Sequence, residues 1–461
     1  MSVFLLHPPT FRSYLVSAGY LKTAALNYLV NYARARVYDT LREGIVKGTL
    51  AIVDEDGTTE FGDPDSNGIS VTLTVNSPNM WTRVMMSNDL GVSEAYMESD
   101  FDVSSLKDLL NLWLDNRHTL TGMHNTVNSL FTYYSALAIK TLGRQNLSNA
   151  KWNAEVAYNT SNKFFQSFLS KEMMYSCAIW GDEEGGPRGD LVSGPTPGDL
   201  EAAQHRKIMN ILGKARLRPG DRLLEIGTGW GAMAINAALM GCTVDTVTLC
   251  KEQMAMTQQR AREAGVEDRV RVHLCDYRQL PASFEKQFDA MITCEMIEAV
   301  GPRYLPEFFQ IMDWALKDDR ATMVITATSQ PDSRYTDYQP DDFARHYHWP
   351  NCHLPSSTSM AVWVQKAVPG KFVFHHLEDH GPHYCRTLRE WGRRLEKNFN
   401  GEVIQELRER YPQLQTEHDI EAFKRKWMYM FVYAEVGYAR AYTSLYCWTF
   451  TRTDNVAMVC S

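Results

Sequence analysis

Apolar and polar positions alternate with two different rhythms along the chain. Tyr20 to Ile45 is rich in helix formers and reads as an amphipathic helix. Thr49–Val53 and Thr58–Phe61 flank the turn Asp54-Glu55-Asp56-Gly57, a hairpin signal, and Ile69–Val75 alternates as a half-buried strand does. Ser104 to Leu114 begins with a serine cap and continues as an apolar helix. These elements predict a small α+β domain over residues 1–145. Residues 150–180 read as helical and aromatic. Gly181–Gly198 follows with six glycines and three prolines, a long loop expected to act as a lid or linker.

From Leu200 onward, strands and helices take turns. Strand candidates are Arg222–Ile226, Thr243–Thr248, Val270–Leu274, Phe288–Thr293 and Ala321–Thr328, with a late pair near Phe372–His376 and Trp448–Thr451. This order predicts a doubly wound, Rossmann-like α/β domain over 150–461, with its ligand at the carboxyl ends of the strands.

The organising stretch is Leu223-Leu224-Glu225-Ile226-Gly227-Thr228-Gly229-Trp230-Gly231. An apolar strand runs into a glycine turn and then a helix near Ala232, so the backbone can approach a ligand and aim amide groups at it. The acid Glu225 precedes Gly227 and Gly229, the order used by S-adenosylmethionine (SAM) methyltransferases; a plain structural turn is the competing reading. Thr248 and Leu249 with Gln253 fall at the next strand end, a ribose position, with Glu252 the nearest acid. Asp276 and Tyr277 follow the third strand, where a polar group and a flat ring would meet adenine; the plainer reading of Asp276 is a helix cap. Upstream, Met174-Tyr175-Ser176-Cys177-Ala178-Ile179-Trp180 offers aromatic rings for a sulfonium, or simply core.

Composition changes this picture little. The 461 residues are 44% hydrophobic and 22% charged, and the net charge of -8 argues against a nucleic-acid binder working by bulk attraction. A basic stretch from Arg386 to Lys397 could still meet an anionic surface. The nine cysteines are scattered without a C-x-x-C pair, which suits reduced thiols and a cytoplasmic setting. The N-terminus lacks the form of a signal sequence, and no uncharged run approaches the roughly 20 residues that span a bilayer. A lipid substrate would therefore be met peripherally, at the membrane surface. His346, His348, Cys352 and His353 invite a metal reading, as do His375, His376, His380 and His383, but neither set has a recognisable ligand pattern and no metal is expected.

Several motifs in order resemble the cyclopropane-fatty-acyl-phospholipid synthase family. They are Met174–Trp180, Glu225–Gly231, Thr248–Gln253, Glu295-Met296-Ile297-Glu298-Ala299-Val300-Gly301 and His383-Tyr384-Cys385-Arg386-Thr387-Leu388. Further matches are Tyr158-Asn159-x-x-Asn162-x-x-Phe165, Leu354-Pro355-Ser356 and Glu435-x-Gly437-Tyr438. The form of the Glu295–Gly301 motif resembles the eukaryotic branch, and Asp89–Met97 resembles the family's N-terminal domain. The resemblance implies a class I methyltransferase domain with a helical cap. It also implies SAM as methyl donor, with Tyr158, Tyr175 and Ser176 joining the cofactor site. The implied reaction is methyl transfer to a cis double bond of a phospholipid acyl chain, followed by ring closure. The implied base is a bound bicarbonate, cradled by Cys177, Glu298 and Tyr384.

The departures bear on the product. The family's fifth-strand histidine or glutamine falls at Ile325 or Thr326, and counting back from Pro331-x-x-Arg334-Tyr335 favours Thr326. Ala299 and Ala434 replace a family histidine and cysteine. Methyl transfer without closure, giving a methylated alkene, stays open. So do a sphingoid or natural-product substrate and a SAM- or lipid-binding protein without turnover, although retention of Glu298 and Tyr384 favours turnover. Phe423–Tyr446 reads as an aromatic helix with most rings expected in the core and Lys424, Arg425 and Lys426 available to anionic headgroups. Homodimerisation is left open.

Overall fold

The computed structural model describes residues 21–65, 68–120 and 161–456, which belong to two compact units, one within residues 1–128 and the other within 129–461. The first unit opens with a helix at Leu21–Gly44. Strands β1 (Thr49–Asp54) and β2 (Gly57–Gly62) form the expected hairpin through Gly57, whose φ of 118° favours glycine. Strand β3 (Ser70–Val75), a helix at Asn79–Met97, β4 (Phe101–Val103) and a helix at Leu106–Asp115 complete it. The sheet order is β2-β1-β3-β4, and Leu50, Ile52, Val71 and Leu73 are buried in one core with Val37, Trp81 and Val84. The cap of the last helix is Ser105, one residue after the expected serine. Its Oγ accepts from the Asp108 amide at 3.2 Å, while Ser104 Oγ accepts from the Thr72 amide.

The second unit is built on seven strands. These are β5 (Arg222–Ile226), β6 (Thr243–Thr248), β7 (Val270–Leu274), β8 (Ala290–Cys294), β9 (Thr322–Ser329), β10 (Val373–Asp379) and β11 (Ser444–Thr451). Their order is β10-β11-β9-β8-β5-β6-β7, with β9, β8, β5, β6 and β7 parallel and β11 antiparallel to both β9 and β10. The doubly wound α/β expectation holds. The chain leaves β5 for β6 on one side, and β8 lies on the other. The crevice at their carboxyl ends is thus a topological switch point, the usual ligand position in such sheets. Two buried clusters flank the sheet, one around Phe308, Met323 and Trp448 and the other around Ile211, Ala234 and Val244.

Helices at Asn162–Phe168, Gly381–Asn398 and Glu417–Ala439 pack together through Phe164, Phe168, Trp391, Trp427 and Phe431, whose rings lie about edge-on to one another or tilted. Residues 169–180 are irregular, contrary to the helical expectation. Their amide groups bond at a distance: Cys177 N to Glu295 Oε1, Trp180 N to His383 Nδ1 and Ile179 N to Ala203 O.

The 181–198 loop is anchored. Arg386, buried, donates to Glu184 O and Gly186 O at 2.5 and 2.7 Å and to Asp199 Oδ2 at 2.7 Å. Asp190, with a fully buried side chain, accepts from Arg389 at 2.7 and 2.8 Å and pairs with Arg393. Most of the basic stretch from Arg386 is thereby paired within the fold, since Arg394 also pairs with Glu201 and Glu390, while Lys397 stays exposed. Lys424 pairs with Glu396, and Lys426 is buried enough that its ammonium is pushed down to about 8. Among the described residues, no helix is long and apolar enough to cross a membrane.

Candidate active site

The turn after β5 carries three left-handed glycines, Gly227, Gly229 and Gly231, with φ of 97°, 51° and 87°. A Cβ added at Gly229 would meet nothing within 4 Å, so the space over the turn is open. One at Gly231 would strike the Thr257 side chain at 2.6 Å, so that glycine lets the helix at Ala232–Leu239 pack on its neighbour. Glu225 is buried, with Oε2 2.5 Å from Thr246 Oγ1; burial pushes its carboxyl up to about 8. At the end of β6, Thr248 Oγ1 donates to Gln253 Oε1 at 2.9 Å and Leu249 is half-buried beside them. Glu252 is held by Arg410 at 3.0 Å. After β7, the Asp276 carboxylate is taken up by Arg278, whose backbone amide and guanidinium both donate to it, and the Tyr277 ring lies edge-on to Phe308 at 5.1 Å. Tyr158 lies outside the described residues.

Beside this crevice the structure assembles a second group of polar residues. Glu295 follows β8 with a φ of 50°, and its amide donates to Thr326 O. Its carboxylate accepts two hydrogen bonds: from the Cys177 amide to Oε1 at 2.9 Å and from the Tyr384 hydroxyl to Oε2 at 2.6 Å. Burial raises its pKa, and the buried ammonium of Lys207 opposes that rise. Lys207 donates to Ser176 Oγ and lies 3.6 Å from Cys294 Sγ. Glu298 sits on the short 3-10 turn Ile297–Ala299. Its Oε1 accepts from the Thr328 amide at 2.7 Å, while buried Oε2 has no hydrogen-bond partner among the described residues. Burial, then the neighbouring Glu295 charge, pushes the Glu298 carboxyl up to about 8.

Cys177, Glu298 and Tyr384 were the residues expected to cradle a bicarbonate. Cys177 N and Tyr384 OH do converge, and on a carboxylate of the chain itself, that of Glu295. The two donors are satisfied, so a second carboxylate-like anion does not fit on them without displacing Glu295. Burial also pushes the Cys177 thiol well up, which leaves it a poor nucleophile. Thr326, rather than Ile325, borders the small cavity that Glu295 shares with Cys177, Lys207 and His380; its buried hydroxyl has no partner among the described residues. Ile325 is in the core.

Aromatic rings wall the group. Tyr384 lies 4.6 Å from Tyr438, whose hydroxyl is 2.8 Å from Thr328 Oγ1. The Tyr175 ring is 5.2 Å from Trp391 and 6.4 Å from Trp349. The histidines serve elsewhere: burial lowers His353 to about 4 and His383 to about 4, and His383 Nδ1 accepts from the Trp180 amide. Among the described residues, no group of three or more His, Cys, Asp or Glu could hold a metal ion. Glu295 and Lys207 escaped the sequence reading. Their signals were a second acid in Glu295-x-x-Glu298 and a lysine in the buried stripe Leu200, Ala203, Gln204, Lys207, Ile211 of the helix Asp199–Lys214.

The family model described as mycolic acid cyclopropane synthetase matches residues 145–445. The chain belongs to that family. Its second unit has the fold of the SAM-dependent methyltransferases, and the crystal structure of the mycolic acid cyclopropane synthase CmaA1, complexed with SAH and CTAB, superposes with a TM-score of 0.52. That alignment has 24% identity and covers 66% of this chain and 98% of CmaA1. Among curated relatives, the tuberculostearic acid methyltransferase UfaA1 of Mycobacterium tuberculosis is 33% identical over 309 residues, 66% of this chain and 65% of UfaA1. The chain thus spans a little under two thirds of that relative's length. The cyclopropane-fatty-acyl-phospholipid synthase of Escherichia coli (strain K12) is 29% identical over 331 residues, 70% of this chain and 76% of the synthase. The synthetase family match takes in every described residue of the two polar groups.

Proposed function

We propose that this chain is a SAM-dependent carbon methyltransferase that acts on the cis double bond of an unsaturated phospholipid acyl chain and closes the product to a cyclopropane. The observation that carries the reading is the set of half-buried Glu295 and Glu298 with buried Tyr384, walled by aromatic rings, beside a glycine turn that is open at Gly229 and lies at the switch point of the sheet. The turn is open at Gly229, the position where this reading puts the adenosyl group. In this reading Glu225, Thr248, Leu249, Gln253, Asp276, Tyr277, Tyr175 and Ser176 hold or shape the cofactor site, and Tyr158 joins them by resemblance alone. When bound, the cofactor supplies an electrophilic methyl group.

An alkene is a weak nucleophile, so the site must hold it in line and keep water out. The rings of Tyr175, Trp391, Tyr384 and Tyr438 form a dry wall whose π faces favour the positive charge that develops on the acyl carbon. A carboxylate-type base, held by the Cys177 amide and the Tyr384 hydroxyl, then takes a proton from the new methyl group. The electron pair of that C–H bond closes the ring. The phospholipid would be met at a membrane surface, without a spanning helix.

A second product is favoured by one observation. A threonine hydroxyl, Thr326, stands where the resemblance places histidine or glutamine, and with fewer polar groups around the base the proton could leave from a neighbouring carbon, giving a methylated alkene. The names of the relatives match this division, one being a methyltransferase and the other a cyclopropane synthase. The test is incubation of the purified protein with methyl-labelled SAM and vesicles of either monounsaturated or saturated phospholipid. Label is expected in the unsaturated lipid only. Equal labelling of both, or label confined to headgroups, would contradict the reading.

A further inference from the structure

Two of the three positions expected to grip a free bicarbonate, Cys177 and Tyr384, grip a side chain instead. We propose that Glu295 is the general base of this enzyme and that its turnover needs no bicarbonate. The inference rests on the alkene-methylation reading above.

Three observations support it. First, Glu295 receives both donors, Cys177 N on one oxygen and Tyr384 OH on the other, so its carboxylate is fixed from two sides. Second, Glu295 holds a left-handed backbone at φ 50°, which costs a non-glycine residue of the order of 1 kcal/mol and persists only where the surroundings impose it. A glycine would suit that backbone better. The acid is kept there at a cost, and the backbone turn aims its side chain toward Cys177 and Tyr384. Third, the neighbouring charges separate the two buried acids. Glu298 has one oxygen held by a single amide, has its other oxygen unpartnered among the described residues, and is pushed up by burial and then by Glu295. Glu295 has two donors and the Lys207 ammonium in its favour. Two close buried carboxyls resist double ionisation. By geometry, Glu295, with two donors on its carboxylate, is the better placed of the two acids to carry the charge.

The step balances. A C–H bond of the transferred methyl breaks, the proton goes to a Glu295 oxygen, and the electron pair becomes the third C–C bond of the ring, or a C=C bond if a neighbouring carbon gives up the proton. No oxidant or reductant is required. Esterification of the carboxylate by the cation is the competing hazard. The two hydrogen bonds from Cys177 and Tyr384 lower the nucleophilicity of both oxygens while leaving them able to accept a proton. Lys207 is a positioning residue here, holding charge on Glu295 from behind.

The experiment compares product formation by the wild-type protein in buffer stripped of carbon dioxide with the same buffer plus bicarbonate. Glu295→Gln and Glu295→Gly are run beside it, with SAM binding measured on each. Wild-type turnover is expected to be unchanged by bicarbonate. E295Q should bind SAM yet lose about 10²–10⁴-fold in turnover, the usual worth of a positioned base. E295G relieves the left-handed backbone and opens a carboxylate-sized space on the same two donors. It should be inactive in stripped buffer and regain about tenfold or more with bicarbonate. A wild-type rate that collapses on stripping and returns with bicarbonate overturns the assignment, as does an E295Q that retains wild-type turnover. Absence of any lipid methylation by the wild type in both buffers would instead overturn the parent reading, and this one with it.

Discussion

Tyr384 ties two parts of the site together, donating to Glu295 while its ring lies against Tyr438. Tyr384→Phe keeps the ring and removes the donor, leaving a buried carboxylate oxygen short of one hydrogen bond. The expected cost is about 1–3 kcal/mol in stability, read by urea unfolding, with a loss of turnover larger than any loss of SAM affinity. An unchanged turnover would remove Tyr384 from the chemistry. Glu298 gives a pH-dependent prediction. Its folded pKa of about 8 lies above the ordinary carboxyl value, so the native state binds the extra proton. The contribution to stability is complete below the unfolded value near 4.3 and is lost as pH rises through about 8. Glu225 contributes with the same sign. In the ligand-free protein, Glu298→Gln should flatten the fall of stability between about pH 5 and 8; a steeper fall in the variant would contradict the assignment. At this scale the sequence displayed Glu298, Tyr384 and Cys177 because they lie in recognisable motifs. It hid the role of Glu295, since a contact with an amide 118 residues away leaves no local pattern.

At the scale of elements, the loop 181–198 shows how tertiary contacts override composition. Six glycines and three prolines suggested a lid or linker, yet Asp190 anchors the segment on the helix Gly381–Asn398 through Arg389 and Arg393. Asp190→Asn removes the buried charge that Arg389 and Arg393 share, leaving Arg389 to Glu435 and Arg393 to Glu390. It is expected to destabilise by about 3–5 kcal/mol and to open the loop to protease. A loss below about 1 kcal/mol would mean that the ion pairs contribute little more than exposed ones do. Other elements were plain in the sequence. Strands β5, β6 and β7 begin and end where their apolar runs and turn residues place them. Strand β11 begins at Ser444, four residues ahead of its apolar core, because pairing with β9 extends from Ser444↔Ser329 to Thr451↔Thr322. The helix expected over Phe423–Tyr446 runs instead over Glu417–Ala439, opened by a Thr416–Asp419 capping box. It ends where the Tyr442 amide turns back to Gly437 O.

At the scale of the molecule, the order of strands and helices after Leu200 sufficed to expect a ligand at the carboxyl ends of the strands, and the strand order then puts the switch point between β5 and β8. The same order could not show that residues 169–180 and the helix Gly381–Asn398, far apart in the chain, supply the donors around one carboxylate. The inward pairing of Arg386, Arg389 and Arg394 also leaves less of the Arg386–Lys397 stretch to meet an anionic surface. Lipid access by this route would then respond weakly to headgroup charge. Turnover on neutral and anionic vesicles of the same unsaturated chain should agree within about tenfold at physiological salt, and a strict need for anionic lipid would contradict it.

The most direct measurement is mass spectrometry of total lipids from a host that lacks cyclopropanes, expressing either the wild-type chain or Glu295→Gln with labelled methionine. The wild type is expected to add one methylene, about 14 mass units plus the mass of the label it retains, to unsaturated acyl chains only, and E295Q, folded and still binding SAM, to add none. Unlabelled acyl lipids in the wild type, with the protein folded and SAM bound, would contradict methylation of a lipid alkene and point to a soluble substrate.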